Sequence, residues 1–106
     1  ASAEMPGRSV MGLNVRALNP EILERMEMEP DTEGVLIVNV ESGSPADDAG
    51  LRRGDIILEV ARQPVDSPRS FRDVMDEEGE PGQKVLIRFM RGPNPPAIVA
   101  LEVPSE

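Results

Sequence analysis

Frequent proline and glycine residues limit this chain to short helices and strands. Eleven prolines and nine glycines divide its 106 residues, and such residues interrupt regular structure or mark turns. Four short apolar runs lie between them, and they are rich in the β-branched residues that favour strands. The first run has no polar alternation, so we expect it to be buried on both faces. The four predicted strands are residues 35–40, 56–60, 85–90 and 98–103.

Two weaker strand patterns lie outside these runs. A loose apolar alternation around Gly12 suits a strand within residues 9–18, and Pro64 and Val65 begin a short edge strand. A chain of this length holds one ordinary domain. The expected division is a linker or cloning residues at 1–8, the domain at 9–104 and a tail at 105–106.

Two helices are predicted from their N-terminal signals. Asn19 and Ser67 are typical N-cap residues, and each is followed by a proline at the first helical position. We expect a first helix over residues 21–29 with a methionine-bearing apolar face, and a second helix that ends near Gly79. The fold class is therefore α+β, with a mostly antiparallel sheet of five or six strands, two helices and a short helical turn.

The composition excludes several kinds of chemistry. The chain has no His and no Cys, so Ser-His-Asp and Cys-His catalysis and His- or Cys-ligated zinc are excluded. A net charge of −9 and only two aromatic residues disfavour nucleic acid as a partner, and no apolar run is long enough to span a membrane. The acidic residues at 47–48 and 76–78 fit solvated helix faces better than metal or acid–base sites. We predict no catalytic residue, no metal and no cofactor in this chain.

Three stretches are more specific than the fold pattern. They are residues 10–15 (VMGLNV), residues 43–57 (GSPADDAGLRRGDII) and residues 63–65 (QPV). In the second stretch, Ser44 can cap a short helical turn that Gly50 closes with a positive φ. Together the three stretches resemble the PDZ domain of bacterial HtrA (Do/Deg-type) serine proteases, whose signature reads G-S-P-A-x-x-A-G-L-x-x-G-D-x-I. Residues 13–21 are similar to the opening of the second PDZ domain in that family.

The resemblance implies a PDZ-like fold, a partly open barrel or sandwich with the permuted strand order of bacterial PDZ domains. PDZ domains bind the free C-terminus of a partner as an added strand between a sheet edge and a helix. On this sequence, the backbone amides of Met11, Gly12 and Leu13 would hold the terminal carboxylate, and residues 13–15 would pair with the peptide. The candidate peptide-binding residues of this first wall are Val10, Met11, Gly12, Leu13, Asn14 and Val15.

The second helix would supply the opposite wall of the groove. Its candidates are Phe71, Arg72, Val74 and Met75, and the sequence leaves open which of them face the peptide. Met11 and Met75 would give an adaptable apolar pocket for the terminal side chain of the ligand.

Two positions outside the groove also carry expectations from the family. Asp55 corresponds to a turn acid of the family, and we expect it to bond backbone groups. Ala61 and Arg62 stand where many relatives have Asn-Gly or Asn-Arg. Because Ala tolerates a positive φ less well than Asn, we expect a different turn type there.

The function implied by the resemblance is a peptide-binding module of a periplasmic or otherwise extracytoplasmic protease. The module would capture C-terminal or extended apolar segments, and so deliver substrate to a serine endopeptidase domain of the same chain or regulate it. The implied partners are C-terminal or unfolded polypeptide segments, that protease domain and neighbouring protomers.

Two alternatives remain open. In the first, the groove is unused and the domain serves oligomer assembly or regulation, with the face of residues 21–29 as the contact surface. In the second, the PDZ fold belongs to a site-2-type membrane metalloprotease, a C-terminal processing protease or a secretion component.

Overall fold

Six antiparallel strands form one sheet in the computed structural model, which describes residues 12–28, 32–92 and 94–103. Five strands lie side by side in the order β1-β2-β3-β5-β6, and the short β4 pairs with β3 alone. The elements in chain order are β1 (Leu13–Ala17), α1 (Pro20–Arg25), β2 (Val35–Val40), α2 (Pro45–Ala49), β3 (Ile56–Val60), β4 (Gln63–Pro64), α3 (Pro68–Glu78), β5 (Lys84–Met90) and β6 (Ala97–Glu102).

This architecture confirms the predicted α+β class and its mostly antiparallel sheet. The helical turn predicted after Ser44 is a complete short helix, α2, so the described residues hold three helices. The strand expected within residues 9–18 is found at β1, and residues 9–11 lie outside the described part of the chain. β1 and β6 are the two ends of the strand order, so among the described residues neither has a second partner strand on its outer side.

The core lies on one face of the sheet, beneath α3 and α2. β5 shows the pattern most clearly, because its alternate residues Val85, Ile87 and Phe89 are buried and the residues between them are exposed. This alternation is typical of an antiparallel strand with one solvated face. Aliphatic side chains fill the core, and Phe71 of α3 is the largest of those that are fully buried.

β2 is not buried on both faces, as its apolar sequence predicted. Val38 keeps 37% of its surface exposed, and Asn39 beside it is also exposed. The pairing of β1 with β2 shifts by one residue here, because Asn14 pairs with Asn39 while Val15 pairs with Ile37. Val38 is therefore a bulge without a partner on β1, and only the inner face of β2 meets the core.

α1 is shorter than the predicted helix over residues 21–29. It ends at Arg25, with Met26 as its C-cap and Glu27 at a φ of 57°. The Glu27 N–H donates to the Glu24 carbonyl at 3.1 Å, and the Met28 N–H donates to the Leu23 carbonyl at 2.9 Å. These two bonds form a Schellman motif, which closes the helix although glutamate occupies the position that usually holds glycine. Residues 26–28 of the contact surface suggested for assembly therefore lie outside the helix, and Glu29 lies outside the described residues.

The turn between β3 and β4 also differs from expectation. Ala61 and Arg62 have φ angles of 52° and 69°, so both central residues of the two-residue turn adopt the left-handed conformation that Asn-Gly favours. The prediction of a different turn type was wrong. The pairing of Val60 with Gln63 leaves only two residues for the reversal. Hairpins of that length favour type I′ and II′ turns, because the positive φ angles of these turns match the twist of the flanking strands.

Glu27 offers a test of the helix-ending motif. We expect Glu27→Gly to raise the free energy of unfolding by about 1 kcal/mol, because glycine adopts a positive φ without the Cβ clash. Equilibrium urea unfolding would measure the change. Glu27→Gln is the control, since it removes the same charge and keeps the strain; equal stabilisation by both variants would show that charge, not backbone strain, is responsible.

Candidate functional site

β1 has one paired edge and one open edge within the described sheet. Gly12 accepts a hydrogen bond from the Glu41 N–H at 2.9 Å, so its carbonyl points towards β2. Backbone groups alternate in direction along a strand, and the next residue, Leu13, therefore directs its N–H and C=O away from β2.

Beyond the bulge at Val38, the backbone of Ile37 points towards β3, because its N–H donates to the Asp55 carbonyl and its carbonyl accepts the Gly54 N–H. By the same alternation, the backbone groups of Leu36 point towards Arg16, its partner on β1. The neighbouring Val15 on β1 therefore directs its N–H and C=O outwards, away from β2.

α3 faces this open edge and supplies an apolar wall. Leu13 belongs to the same buried cluster as Phe71, Val74 and Met75, and Val15 packs against that cluster. The start of α3 is fixed by Ser67, whose hydroxyl accepts the Ser70 N–H at 3.0 Å and completes a capping box.

The structure shows which candidate residues of α3 face the core. Phe71 and Met75 are fully buried at 1% and 3% exposure, and Val74 retains 8%. Arg72 points to solvent. On β1, Asn14 and Val15 are half-buried. Val74 is therefore the most exposed of the three apolar α3 candidates. Val10 and Met11 lie outside the described residues.

Gly12 is held against α2 in a place that no side chain could occupy. Its φ is +87°, and a Cβ added to it would collide with the Cβ and Oγ atoms of Ser44. Ser44 is fixed in turn, because its hydroxyl donates to the Glu41 carbonyl at 2.7 Å and accepts the Asp47 N–H at 3.2 Å. Glu41 bonds to Gly12 through its own N–H. The beginning of β1 is thus fitted to the N-terminus of α2.

The predicted cap residues of α2 are confirmed. Ser44 is the N-cap with Pro45 after it, and Gly50 is the C-cap with a φ of 94°. Leu51, which is buried, donates its N–H to the Ala46 carbonyl at 3.1 Å. The acids of α2 are exposed, as the sequence suggested, and Asp47 accepts the Gly43 N–H at 2.9 Å. The signature segment therefore acts as a rigid support for the start of β1.

Asp55 does more than the turn role expected from the sequence. It is 2% exposed and accepts the Arg52 N–H at 3.0 Å, which confirms the expected backbone bond. It also receives two hydrogen bonds from Arg91, at 2.9 Å from Nε and 2.8 Å from Nη2. The hydrogen bonds to Asp55 raise the pKa of Arg91 above its ordinary value, and the guanidinium lies over the Phe89 ring at 5.4 Å.

Sequence reasoning missed Arg91 because nothing near it in the chain marks a partner. The two residues are 36 positions apart, and only the pairing of β3 with β5 brings them together. The available signal was Asp55, which stands next to the apolar strand β3. A carboxylate that is buried there needs a compensating cation, so the sequence could have predicted a basic partner.

The described residues contain no group of three or more acidic side chains arranged to hold a metal ion. None of the helices in residues 12–28, 32–92 and 94–103 is both long and apolar enough to cross a membrane.

The fit of Gly12 against Ser44 can be measured by substitution. We expect Gly12→Ala to lower the free energy of unfolding by about 3 kcal/mol, because it adds a steric collision to the strain of a positive φ. Gly43→Ala is a matched control, since Gly43 also has a positive φ, of +76°, but nothing lies within 4 Å of its Cβ position. The control should lose only about 1 kcal/mol. Equal losses in urea unfolding would contradict the close packing of Gly12 on α2.

Comparisons with known proteins agree with this geometry. Residues 9–98 match the protein family described as PDZ domain. Over 82 residues the chain is 39% identical to a protein of Chlamydia trachomatis serovar D named probable periplasmic serine endoprotease DegP-like. That alignment covers 77% of this chain and 16% of the relative, so the chain spans only a small part of such proteins.

Solved structures share the fold. The structure described as HtrA-type protease AlgW with decapeptide is 30% identical and superposes with a TM-score of 0.74, covering 92% of this chain and 29% of that one. The HtrA3 PDZ domain bound to a phage-derived ligand superposes with a TM-score of 0.73 at 21% identity, covering 90% of this chain and 84% of that one. The predicted PDZ-like arrangement is thereby confirmed.

Proposed function

The chain belongs to the PDZ-domain family, and we propose that it binds peptides as the PDZ module of an HtrA-type serine protease. It would capture C-terminal or extended apolar segments of other polypeptides by adding them as a strand to β1. The observation that carries this proposal is the open edge of β1 opposite α3, where Leu13 and Val15 direct backbone groups outwards beside an apolar wall.

Carboxylate capture would take place at the start of β1. The amides of Met11, Gly12 and Leu13 would donate to the terminal carboxylate of the ligand, since consecutive amides in a tight loop can converge on one anion. The positive φ of Gly12 and its support by Ser44 favour such a loop. Outward-facing groups of Leu13 and Val15 would then pair with the peptide backbone.

The candidate α3 residues would act in two ways. Phe71 and Met75 are buried and would form the floor of the pocket for the terminal side chain of the ligand. Val74 and the exposed Arg72 lie nearer the surface and would contact residues further from the C-terminus. Strand addition with one anchored side chain gives an affinity of about micromolar, on the order of −8 kcal/mol.

The parent protein would be an extracytoplasmic serine endopeptidase. Relatives that share this domain are named probable periplasmic serine endoprotease DegP-like, and the structural neighbour with a decapeptide is described as an HtrA-type protease. The 106 residues contain no His, so a Ser-His-Asp triad would belong to a separate domain of the parent. The module would present bound segments to that domain or adjust its activity.

A pair of matched peptides tests carboxylate capture. An apolar peptide with a free C-terminus should bind at least about tenfold more tightly than the same peptide amidated, because a hydrogen-bonded carboxylate contributes about 1.5–3 kcal/mol. Amide-resolved NMR titration should place the largest shifts at residues 12–15 and along α3. Equal affinities, or shifts confined to other elements, would refute the proposal.

The net charge of −9 predicts a preference among ligands of this groove. At low salt, a peptide with added Asp residues should bind β1 several-fold more weakly than the same peptide with Lys, because the domain repels it. The difference should shrink at high salt. The affinities are to be taken from the shifts of residues 13–15, so that binding elsewhere does not contribute. Equal affinities of the Asp and Lys peptides at both low and high salt would contradict this electrostatic origin.

A further inference from the structure

The sheet has a second open edge at β6. The Val103 N–H donates to the Gln83 carbonyl at 2.9 Å, and the Val103 carbonyl accepts the Gly82 N–H at 3.0 Å, so both groups point towards the β5 side. By the alternation of strand backbones, the N–H and C=O groups of Glu102 and Ala100 point the other way. β6 pairs with β5 alone within the described sheet. Two consecutive outward-facing positions are therefore available to another strand.

A groove of about 600 Å³ adjoins this edge. α2 packs beside β6. The space between them is lined from α2 by Pro45, Asp48 and Ala49 and from β6 by Ala100 and Glu102, and Gly43, Gly82 and Val103 complete the lining. Because the side chains of Ala49 and Ala100 are small, the groove has room for the apolar stem of a long incoming side chain. The groove thus combines a strand edge with a helix wall, as the β1 site does.

The side chains that line this groove include negative charges and no positive ones. Asp48 and Glu102 are both exposed, and neither forms an ion pair with any residue of the described ranges 12–28, 32–92 and 94–103. No lysine or arginine is among the residues that line the groove. Lys84 lies opposite Glu102 in the pairing of β5 with β6, but the two do not form an ion pair. The groove is therefore lined by two carboxylates and no cation, and this charge favours an extended segment that carries positive charge.

We propose that β6 and α2 form a second docking site, which takes an extended lysine- or arginine-bearing segment of another polypeptide as an added strand on β6. Its backbone would bond to Ala100 and Glu102, and its basic side chains would reach Asp48 and Glu102. The site uses no element of the β1 groove, so it is independent of the proposed carboxylate capture. A second copy of this chain is a poor occupant, because each copy carries a charge of −9.

A peptide blocked at both ends provides the test. An acetylated and amidated peptide of alternating Lys and Val has no terminal carboxylate, and its strand form presents all its charges on one side. Titrated into the 106-residue chain, it should shift the amides of Gly43, Asp48, Ala100 and Glu102 in NMR spectra, with saturation. The matched peptide with Glu in place of Lys should not shift them.

Two double variants distinguish the effect of the carboxylates in the groove from the effect of the overall negative charge. Asp48→Asn combined with Glu102→Gln should weaken binding of the Lys peptide about fivefold. Glu24→Gln combined with Glu77→Gln removes two exposed charges outside the groove and should weaken it less than twofold. Because Asp48 lies in the first turn of α2, Glu102→Gln alone is the fallback if the double variant unfolds; it should weaken binding about twofold.

Four results would overturn the proposal. They are no shifts with the Lys peptide, shifts confined to residues 12–15, equal losses in the two double variants, and β6 shifts that grow with protein concentration without peptide. The last result would identify a second copy as the occupant. None of these outcomes tests carboxylate capture at β1, because that proposal is tested separately by comparing the affinities of the peptide with a free C-terminus and the amidated peptide.

Discussion

The buried carboxylate of Asp55 joins three parts of the chain on which the remaining structure depends. Asp55 precedes β3, and its side chain bonds to the backbone of Arg52 and to Arg91 at the end of β5. Arg91 also donates to the Gly50 carbonyl at the end of α2, at 2.9 Å. A carboxylate that is 2% exposed would be strongly unfavourable without such partners. The fold therefore requires α2, β3 and β5 to meet at one point, and this fixes the C-terminal end of α2.

The opposite end of α2 transmits that constraint to the candidate site. Ser44 at the N-cap touches Gly12, and Glu41 connects the two through hydrogen bonds to both. A helix of five residues gains little stability of its own, so its position depends on these contacts at both ends. The start of β1, where a peptide carboxylate would lie, is thus held by a chain of contacts that begins at Asp55. The signature stretch 43–57 thus supports the start of β1, where we propose that the carboxylate binds.

Sequence reasoning succeeded where the determining interactions are local. The caps at Asn19, Ser44 and Ser67 are all present, because a cap depends on groups only two or three residues away. It failed where a distant or geometric constraint decided the outcome. Val38 is exposed because of a register shift with β1, and α1 ends early in a motif that glycine would normally mark. The groove candidates were found by resemblance, whereas their division into buried Phe71 and Met75 and exposed Arg72 needed the packed structure.

The two open ends of the sheet raise the question of how one small domain avoids indiscriminate strand pairing. Exposed edges invite association with other chains, and proteins commonly cover them or place charge beside them. Here a helix stands beside each edge, α3 near β1 and α2 near β6. The helix walls differ, since α3 presents apolar side chains to the buried cluster and α2 places the Asp48 carboxylate in its groove. Backbone pairing alone would not distinguish the two edges, so the side chains beside each edge would determine what it accepts: in our proposals, apolar segments at β1 and basic ones at β6.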